Sequence, residues 1–552
     1  MKVNLPPQVI YSLLPISVLA MICFGLYYSV LSAGWRFDDG AHLEFAMTYS
    51  PWQYFFIPEI TRLQSGANLT PWNAFFYDIN LSIFGLNPGG FYFHQLMILW
   101  LISIVTYFFL KLWLDWSWAI LGATLFLIGA PTVHVANQIM AGHYTTGLLF
   151  TVIALSIYTR AVRDQNRTLA VLSALFYLLA VTCKETYVPL IAILPFIPIG
   201  TIKERLSYAL PTLCIAIFYL AWRMQVLGRL YGGYNLSGTY DPYQIIETLS
   251  HIPFLLFGNH LIAKLMLVIM AILIVYTLYR RQRNVILVLI VAGVLLFPLI
   301  PLVSYPGITA PDRYLFLIWW GISLLIACTL SIQNIFRNKY WVWGIAFALI
   351  GNSLNHVNEE QKNVANAALE TENSYSFILN SQADQVYVSP TFDYYYGAVL
   401  PSIVAAQDKM VPENPVRAKV IPDIEQLAAI DLTNTSVWSY DNHCQCIKDI
   451  TAAVPLLVTA YQNELIQRPL SVRLSLVDLK AEWHLGPYSE GEYTIMINNQ
   501  GFFTLPPTGM HSYPRDTLTG YILYKSPEGW ITKSEVFQLD RLMQPSWKWS
   551  RS

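Results

Sequence analysis

The sequence predicts a polytopic α-helical membrane protein of about eleven spans, followed by a soluble domain that passes from α/β into β-rich structure. Three observations predict it. Hydrophobic residues make up 55% of the 552 and charged residues only 12%, about half the charged fraction of a soluble protein. Long apolar runs recur along the first two thirds of the chain, and mean hydropathy is +0.44. Beyond residue 356 the runs stop and polar and apolar residues alternate.

Runs of about 17–25 apolar residues, the length that crosses a bilayer, lie near 8–33, 91–111, 116–132, 144–160, 168–183, 186–201, 206–224, 261–279, 284–304, 313–331 and 340–354. The first is too long for a signal-peptide core and lacks a small-residue cleavage pattern, so it reads as a retained span. Short basic exits follow every second run: Lys111; Arg160, Arg163 and Arg167; Lys203 and Arg205; Arg280, Arg281 and Arg283; Arg337 and Lys339. By the positive-inside rule these exits are cytoplasmic. The N-terminus is then inside. The loop at 34–90, the turn at Lys184, the loop at 225–260, the turn at Asp312 and everything after about Leu354 lie outside, in a bacterial periplasm or an ER lumen.

Segments Trp52 to Ile57 and Trp72 to Phe84 of the first outer loop are rich in aromatic rings and read as helices lying in the interface. Residues 1–355 form the membrane domain and 356–552 the soluble one. In the latter, Gln385 to Val388, Ser471 to Leu479, Tyr493 to Asn498, Thr519 to Lys525 and Trp530 to Leu539 alternate with period two and read as strands. Asn363 to Ser381 and Ile424 to Ala429 read as helical. A net charge of −1 gives no electrostatic reason to expect nucleic acid. Cys23, Cys183, Cys214 and Cys328 sit in or beside apolar runs as small core residues. Cys444-Gln-Cys446 is too close for an ordinary bridge and too sparse for a zinc site.

Residues suited to chemistry gather at the outer ends of the spans. Trp35-Arg36-Phe37-Asp38-Asp39-Gly40-Ala41-His42 puts two carboxylates where a membrane surface meets water, and a helix over Gly40 to Met47 places His42 on their face. That is an acid/base cluster beside a lipid-borne substrate. The competing reading is that Asp38 or Asp39 only caps the helix. His94 opens the second span, His134 to His143 separate the third and fourth, and Lys184-Glu185 and Asp312-Arg313 stand at later outer turns. Cations on that face, with Arg36 among them, suit an anionic group at the membrane boundary. Taken singly, Lys184-Glu185 also reads as an interfacial ion pair and Asp312 as a helix cap.

Taken together, Phe37-Asp38-Asp39 after span one, Asn80 to His94 running into span two, Pro131 and His134, Cys183-Lys184-Glu185-Thr186, and Pro311-Asp312-Arg313-Tyr314-Leu315 resemble membrane glycosyltransferases of the GT-C class. The nearest kin are the protein O-mannosyltransferase-like and transmembrane-and-tetratricopeptide mannosyltransferase-like enzymes, including their bacterial relatives. The likeness covers roughly residues 1–355. It departs from the pattern at Gly142-His143, where those enzymes have Gly-Arg, and no tetratricopeptide array follows.

The resemblance implies transfer of a sugar from a polyprenyl- or dolichyl-phosphate carrier to an acceptor hydroxyl on a glycan, lipid or protein, usually with inversion. In that scheme Asp38 is the general base and Asp39 binds the acceptor or orients its neighbour. Lys184, Arg313 and Arg36 receive the departing phosphate. His42, His94, His143, Glu185 and Asp312 bind substrate. No cofactor is required, although an Asp/Asp/His group could hold a divalent metal. The rival readings are an oligosaccharide ligase or polymerase using a lipid-pyrophosphate donor, and a transporter. The latter predicts ionisable residues in mid-span, of which Lys264 is the chief example.

Overall fold

The computed structural model describes residues 7–65, 67–228, 230, 242–258, 260–279, 293, 313–333, 340–380, 385–387, 403–413, 419–421, 423–441, 444, 446–477, 480–497, 501–513 and 516–552. Asp312, most of the predicted span at 284–304, and the basic exits at Arg280 to Arg283 and at Arg337 and Lys339 lie outside them. The helices are α1 (Pro7–Tyr27), α2 (Asp39–Thr48), α3 (Pro51–Phe56), α4 (Pro58–Gln64), α5 (Pro71–Phe84), α6 (Pro88–Leu110), α7 (Trp116–Leu127), α8 (Ala130–Ala136), α9 (Gly142–Arg163), α10 (Arg167–Cys183), α11 (Ile202–Leu227), α12 (Pro242–Phe257) and α13 (Leu261–Tyr279), then Phe316–Gln333 and Tyr340–Asn380. The chain divides into two compact units. One comprises Met1–Leu31, Asn68–Phe76 and Asn87–Asn366, the other Ser32–Ala67, Tyr77–Leu86 and Ala367–Ser552.

The first unit is a helical bundle. Among the described residues five helices are long and apolar enough to cross a membrane, or seven if each of two bent pairs is one span. Helix ends carry the expected signals. Asn166 accepts from the amides of Thr168 and Leu169 at the start of α10, and Thr201 forms a capping box with Glu204 at the start of α11. Lys111, Arg160, Arg163, Arg167, Lys203 and Arg205 collect at one end of α6, α9, α10 and α11, opposite the end that carries His94, His143, Lys184 and Arg223.

Two predicted spans take forms that their composition did not announce. The run at 116–132 is broken into α7 and α8, bent by 57°, because Gly129 and Pro131 interrupt it. Carbonyls freed by a break inside a membrane need new donors, and side chains supply them. The Trp319 indole donates to the carbonyls of Leu125 (3.0 Å) and Phe126 (3.1 Å), Thr132 Oγ1 also donates to Phe126 (2.6 Å), and the Tyr27 hydroxyl reaches Leu127. Only glycine fits at 129, where a Cβ would lie 1.8 Å from the Trp319 Nε1. The run after Lys184 is a twelve-residue 3₁₀ helix, Glu185–Phe196, with Pro189 and Pro195 inside it. At a rise of about 2 Å per residue that helix covers about 24 Å, where an α-helix of the same length covers about 18 Å.

The stretch expected to end its span near 354 and start a separate helix at 363 is instead one 41-residue helix, Tyr340–Asn380. No Pro or Gly falls between Asn352 and Asn380 to stop it. Within the first unit its polar residues reach the bundle: Asn352 donates to the carbonyl of Phe257 (2.9 Å), and Glu360 lies 3.7 Å from His134. Lys264 occupies the first turn of α13 with its ammonium 6.0 Å over the Phe254 ring.

The second unit holds helices α2, α3 and α4 together with the C-terminal domain. The α/β to β-rich order is as expected. Strands β1 (Gln385–Tyr387), β2 (Lys419–Ile421), β3 (Val437–Asp441) and β4 (Cys446–Asp449) form a sheet in the order β2-β1-β3-β4, parallel about β1. Strands β5 (Leu470–Val477), β6 (Lys480–Gly486), β7 (Glu492–Ile497), β8 (Gly501–Leu505), β9 (Thr508–Ser512), β10 (Thr517–Lys525), β11 (Ile531–Lys533), β12 (Phe537–Asp540) and β13 (Ser546–Arg551) form two further sheets, β11-β10-β7-β8 with β12 on β10, and β13-β5-β6-β9. Their inward rows, including Val472, Leu474, Trp483, Ile495, Ile522 and Phe537, make one core. The expected single strand at Trp530 to Leu539 is two strands, β11 and β12, on opposite halves of β10. The reading of Cys444-Gln-Cys446 is corrected: the two are disulfide-bonded. The turn entering β4 folds their Cα atoms to 5.2 Å apart, within reach of a bridge despite the short separation.

Candidate functional site

In the second unit the two adjacent carboxylates have opposite surroundings. Asp38 is exposed and Asp39 is completely buried. Neither side chain caps α2, so the capping interpretation fails. Asp39 instead grips the backbone of Arg36: its Oδ2 accepts the Arg36 amide at 2.7 Å, and its own amide donates to the Arg36 carbonyl at 3.1 Å. Tyr77, on α5, donates to Asp39 Oδ1 at 2.6 Å. Phe37 and Asp38 form the apex of the loop so closed, with Phe37 at φ +55°, a left-handed conformation that costs a side-chain-bearing residue about 1–3 kcal/mol. The hydrogen bonds to Asp39 hold that strain and leave Asp38 projecting.

Burial pushes the Asp39 carboxyl up to about 7, against the opposing pull of Tyr77 and Arg36. His42 follows Asp38 by one helical turn, its amide bonded to the Asp38 carbonyl at 3.1 Å. Its ring centroid lies 5.1 Å from that of Tyr77. Arg36 is buried, with its guanidinium 5.8 Å over the Phe37 ring.

In the first unit the cations gather around two tyrosines. Lys184 ends α10, is buried, and holds its ammonium 5.0 Å over the Tyr144 ring. Arg313 lies 5.1 Å over Tyr314 and donates to Gln138 Oε1 at 3.4 Å. Tyr144 and Tyr314 meet edge to face, 6.3 Å apart. Burial lowers the Lys184 pKa to about 8; the charge of Glu185 raises it and that of Arg313 lowers it. His143 is buried at the start of α9, its ring 4.6 Å from Tyr144.

Glu185 faces elsewhere. Its two oxygens form a bidentate pair with buried Arg223, at 2.7 and 3.1 Å, and Oε1 also accepts the amide of Leu69 at 2.7 Å. Tyr219 fastens the carbonyl of Leu69 at 2.8 Å. Glu185 therefore ties the 68–70 segment to α11 and does not neutralise Lys184 by a direct contact. His94 stacks on Phe76 at 5.2 Å and 8°. A Cβ at Gly142 would come 2.5 Å from the Phe76 ring, so the small residue there lets Phe76 take that position.

The structure thus brings Asp38, Asp39, His42 and Arg36 together in one unit, and Lys184, Arg313 and His143 together in the other. Three partners were missed by sequence reasoning: Tyr77, Tyr144 and Gln138. Nothing local marks either tyrosine among the chain's 35. Among the described residues no group of three or more His, Cys, Asp or Glu converges as a metal site. Both oxygens of Asp39 accept hydrogen bonds.

No known protein-family profile matches the chain, and no curated protein matches it. Among solved structures it is similar to ArnT from Cupriavidus metallidurans in the apo state, at 12% identity and a TM-score of 0.43 over 82% of this chain and 95% of that one. It is also similar to the Archaeoglobus fulgidus oligosaccharyltransferase in complex with Zn and sulfate, at 13% identity and a TM-score of 0.39 over 68% of this chain, and spans 60% of that protein's length. AglB from the same organism, in complex with an inhibitory peptide and a dolichol-phosphate, matches at 11% identity and a TM-score of 0.40 over 90% of this chain and 74% of that one. These are GT-C membrane glycosyltransferases, the class that the motifs resemble.

Proposed function

We propose that the chain is a membrane glycosyltransferase that moves a sugar from a polyprenyl-phosphate carrier to an acceptor hydroxyl, with inversion, on the non-cytoplasmic face. The observation that carries the reading is the buried ammonium of Lys184 beside the like charge of Arg313, at the ends of spans, with the neighbouring carboxylate of Glu185 bonded to Arg223. A desolvated ammonium beside a like charge is costly, and an anion arriving at Lys184 relieves that cost. At a helix end on a membrane boundary, the phosphate of a lipid-linked sugar is such an anion.

The two clusters have separate tasks. As the acceptor oxygen attacks the anomeric carbon, its proton passes to Asp38, the exposed carboxylate. The bond from that carbon to the phosphate oxygen breaks, and its electron pair stays on the phosphate. Lys184 and Arg313 stabilise the charge that grows there. Asp39, being buried, acts on Asp38 through the loop and does not touch the acceptor. His42, His143 and His94 bind sugar or phosphate oxygens, and Asp312 is a further substrate ligand by its motif. Arg36 adds positive charge beside Asp38. The scheme routes no step through a metal. Sidedness is supported by the basic residues at the opposite helix ends. It puts the soluble domain in the periplasm of a bacterium or the lumen of an ER.

The test is a transfer assay in membranes with labelled polyprenyl-phosphate sugars, and pyrophosphate-linked donors supplied separately. Asp38→Asn should lose about 10²–10⁴-fold in turnover, the usual worth of a general base. Wild-type turnover by that variant ends the assignment of the base. Transfer only from pyrophosphate donors replaces the reading with an oligosaccharide ligase or polymerase.

A further inference from the structure

The outer face of the β13-β5-β6-β9 sheet carries an arrangement that folding alone does not favour. Lys548 on β13 is directly opposite Arg473 on β5, which is directly opposite His484 on β6, which is directly opposite Thr508 on β9. All four are exposed, and none of the three basic side chains makes an ion pair or hydrogen bond among the described residues. Like charges directly opposite on neighbouring strands destabilise a sheet. The row is flanked by hydroxyls: Ser550 opposite Ser471 on one side, and Ser546 opposite Ser475 on the other. The acid of this patch, Glu482, is paired in register with Ser475 and Met510, one row away from the cations. Trp547 and Trp549, which alternate with Lys548, pack inward against the core.

We infer that this face is a binding site for an extended anionic glycan, one whose carboxylate or phosphate groups meet Lys548, Arg473 and His484 while its hydroxyls meet the serine rows. Four strands at about 4.8 Å spacing give a track about 14 Å long, which suits a chain of several sugars better than a single ion. The flanking rows offer serine where a protein partner would meet aromatic and aliphatic anchors. A single-stranded nucleic acid would need exposed rings for stacking, and the tryptophans here face the core. Choosing a glycan as the occupant rests on the glycosyltransferase reading; binding itself is measured without turnover, so either can fail while the other stands.

The experiment uses the full chain in nanodiscs of zwitterionic lipid. Oligogalacturonate is the anionic probe, with maltoheptaose as the neutral one and phosphatidylglycerol vesicles and inorganic phosphate as separate arms. Wild type should bind oligogalacturonate, not maltoheptaose, with an affinity that falls as salt rises. The double variant R473Q/K548Q should bind at least tenfold more weakly. Removing like charges from an exposed face should leave its melting temperature unchanged or raised. K548E, which gives Arg473 an opposite charge across the strands, keeps the fold by a different route and should also lose binding. Absence of oligogalacturonate binding by wild type, or equal binding by both variants, overturns the site. Binding of the vesicles or of phosphate alone overturns the glycan as its occupant.

Discussion

The buried carboxyl of Asp39 should be protonated over part of the physiological range, and its titration should be visible in both stability and spectrum. Its pKa is pushed from 3.8 to about 7 in the folded chain. Between those values the folded state holds a proton that the unfolded state has released. Stability is therefore greatest below about pH 4 as far as this group is concerned, and that contribution is lost as pH rises towards 7. A difference of about 3 pH units corresponds to about 4 kcal/mol. The groups facing it are Arg36, Asp38 and Tyr77, with His42 against Tyr77. In Asp39→Asn the dependence should disappear, because the amide does not titrate. In Tyr77→Phe it should extend to higher pH, because the lost hydrogen bond favoured the ionised form. Melting temperature of the nanodisc-embedded chain between pH 4 and 8 reads the slope, and the infrared carboxyl band at pH 6 reads the proton directly. An Asp39→Asn variant whose pH slope and carboxyl band both equal those of wild type would refute the assignment.

Lys184, at about 8, should give kcat/KM for donor an alkaline limb, since the ammonium that meets the phosphate is lost as pH rises past that value. Lys184→Arg should move the limb out of range and Lys184→Met should abolish it with a donor KM raised about tenfold or more, both read from steady-state profiles. Glu185→Gln removes the bidentate carboxylate from Arg223, 2% exposed, and should cost about 3 kcal/mol in thermal or denaturant unfolding; a change below about 1 kcal/mol would mean that the pair is already solvated. Gly129→Ala sets a methyl 1.8 Å from Trp319 Nε1. It should lower the yield of folded protein by displacing the indole from the freed carbonyls, as reported by tryptophan fluorescence and gel-filtration recovery.

The bundle was legible in the sequence because a span is a local property: apolar runs show themselves, and basic residues after every second run order them. How a run bends is not local. Gly129 and Pro131 mark a break after α7, but its 57° turn is stabilised by Trp319 and Tyr27, residues distant in the chain. Strands β5, β7 and β10 were recovered from period-two alternation. β13, Ser-Trp-Lys-Trp-Ser-Arg, alternates just as strictly, yet it follows an irregular turn at the chain's end and was passed over. The Cys444–Cys446 bridge depends on Cα atoms 5.2 Å apart, a distance that their separation in sequence does not fix.

The candidate site divides in the same way. That Asp38, Asp39, Lys184 and Arg313 stand at helix ends was readable, but which of two adjacent carboxylates meets water was not. That choice depends on Tyr77, 38 positions further on, and on the Arg36 amide across a left-handed Phe37. Similarly, Lys184-Glu185 reads as an ion pair in the sequence, and it is Arg223, 38 residues away, that draws the carboxylate off. In each case a distant donor occupies one of two neighbouring charged groups and not the other: Tyr77 bonds Asp39 while Asp38 stays exposed, and Arg223 bonds Glu185 beside Lys184. Adjacent ionisable residues at a membrane boundary are thus two different chemical groups once the fold has assigned them partners, and mutating the distant donor should convert each remaining group towards its neighbour's inert state. Tyr77→Phe should therefore depress turnover without removing Asp38, and Arg223→Met should weaken donor binding with Lys184 intact.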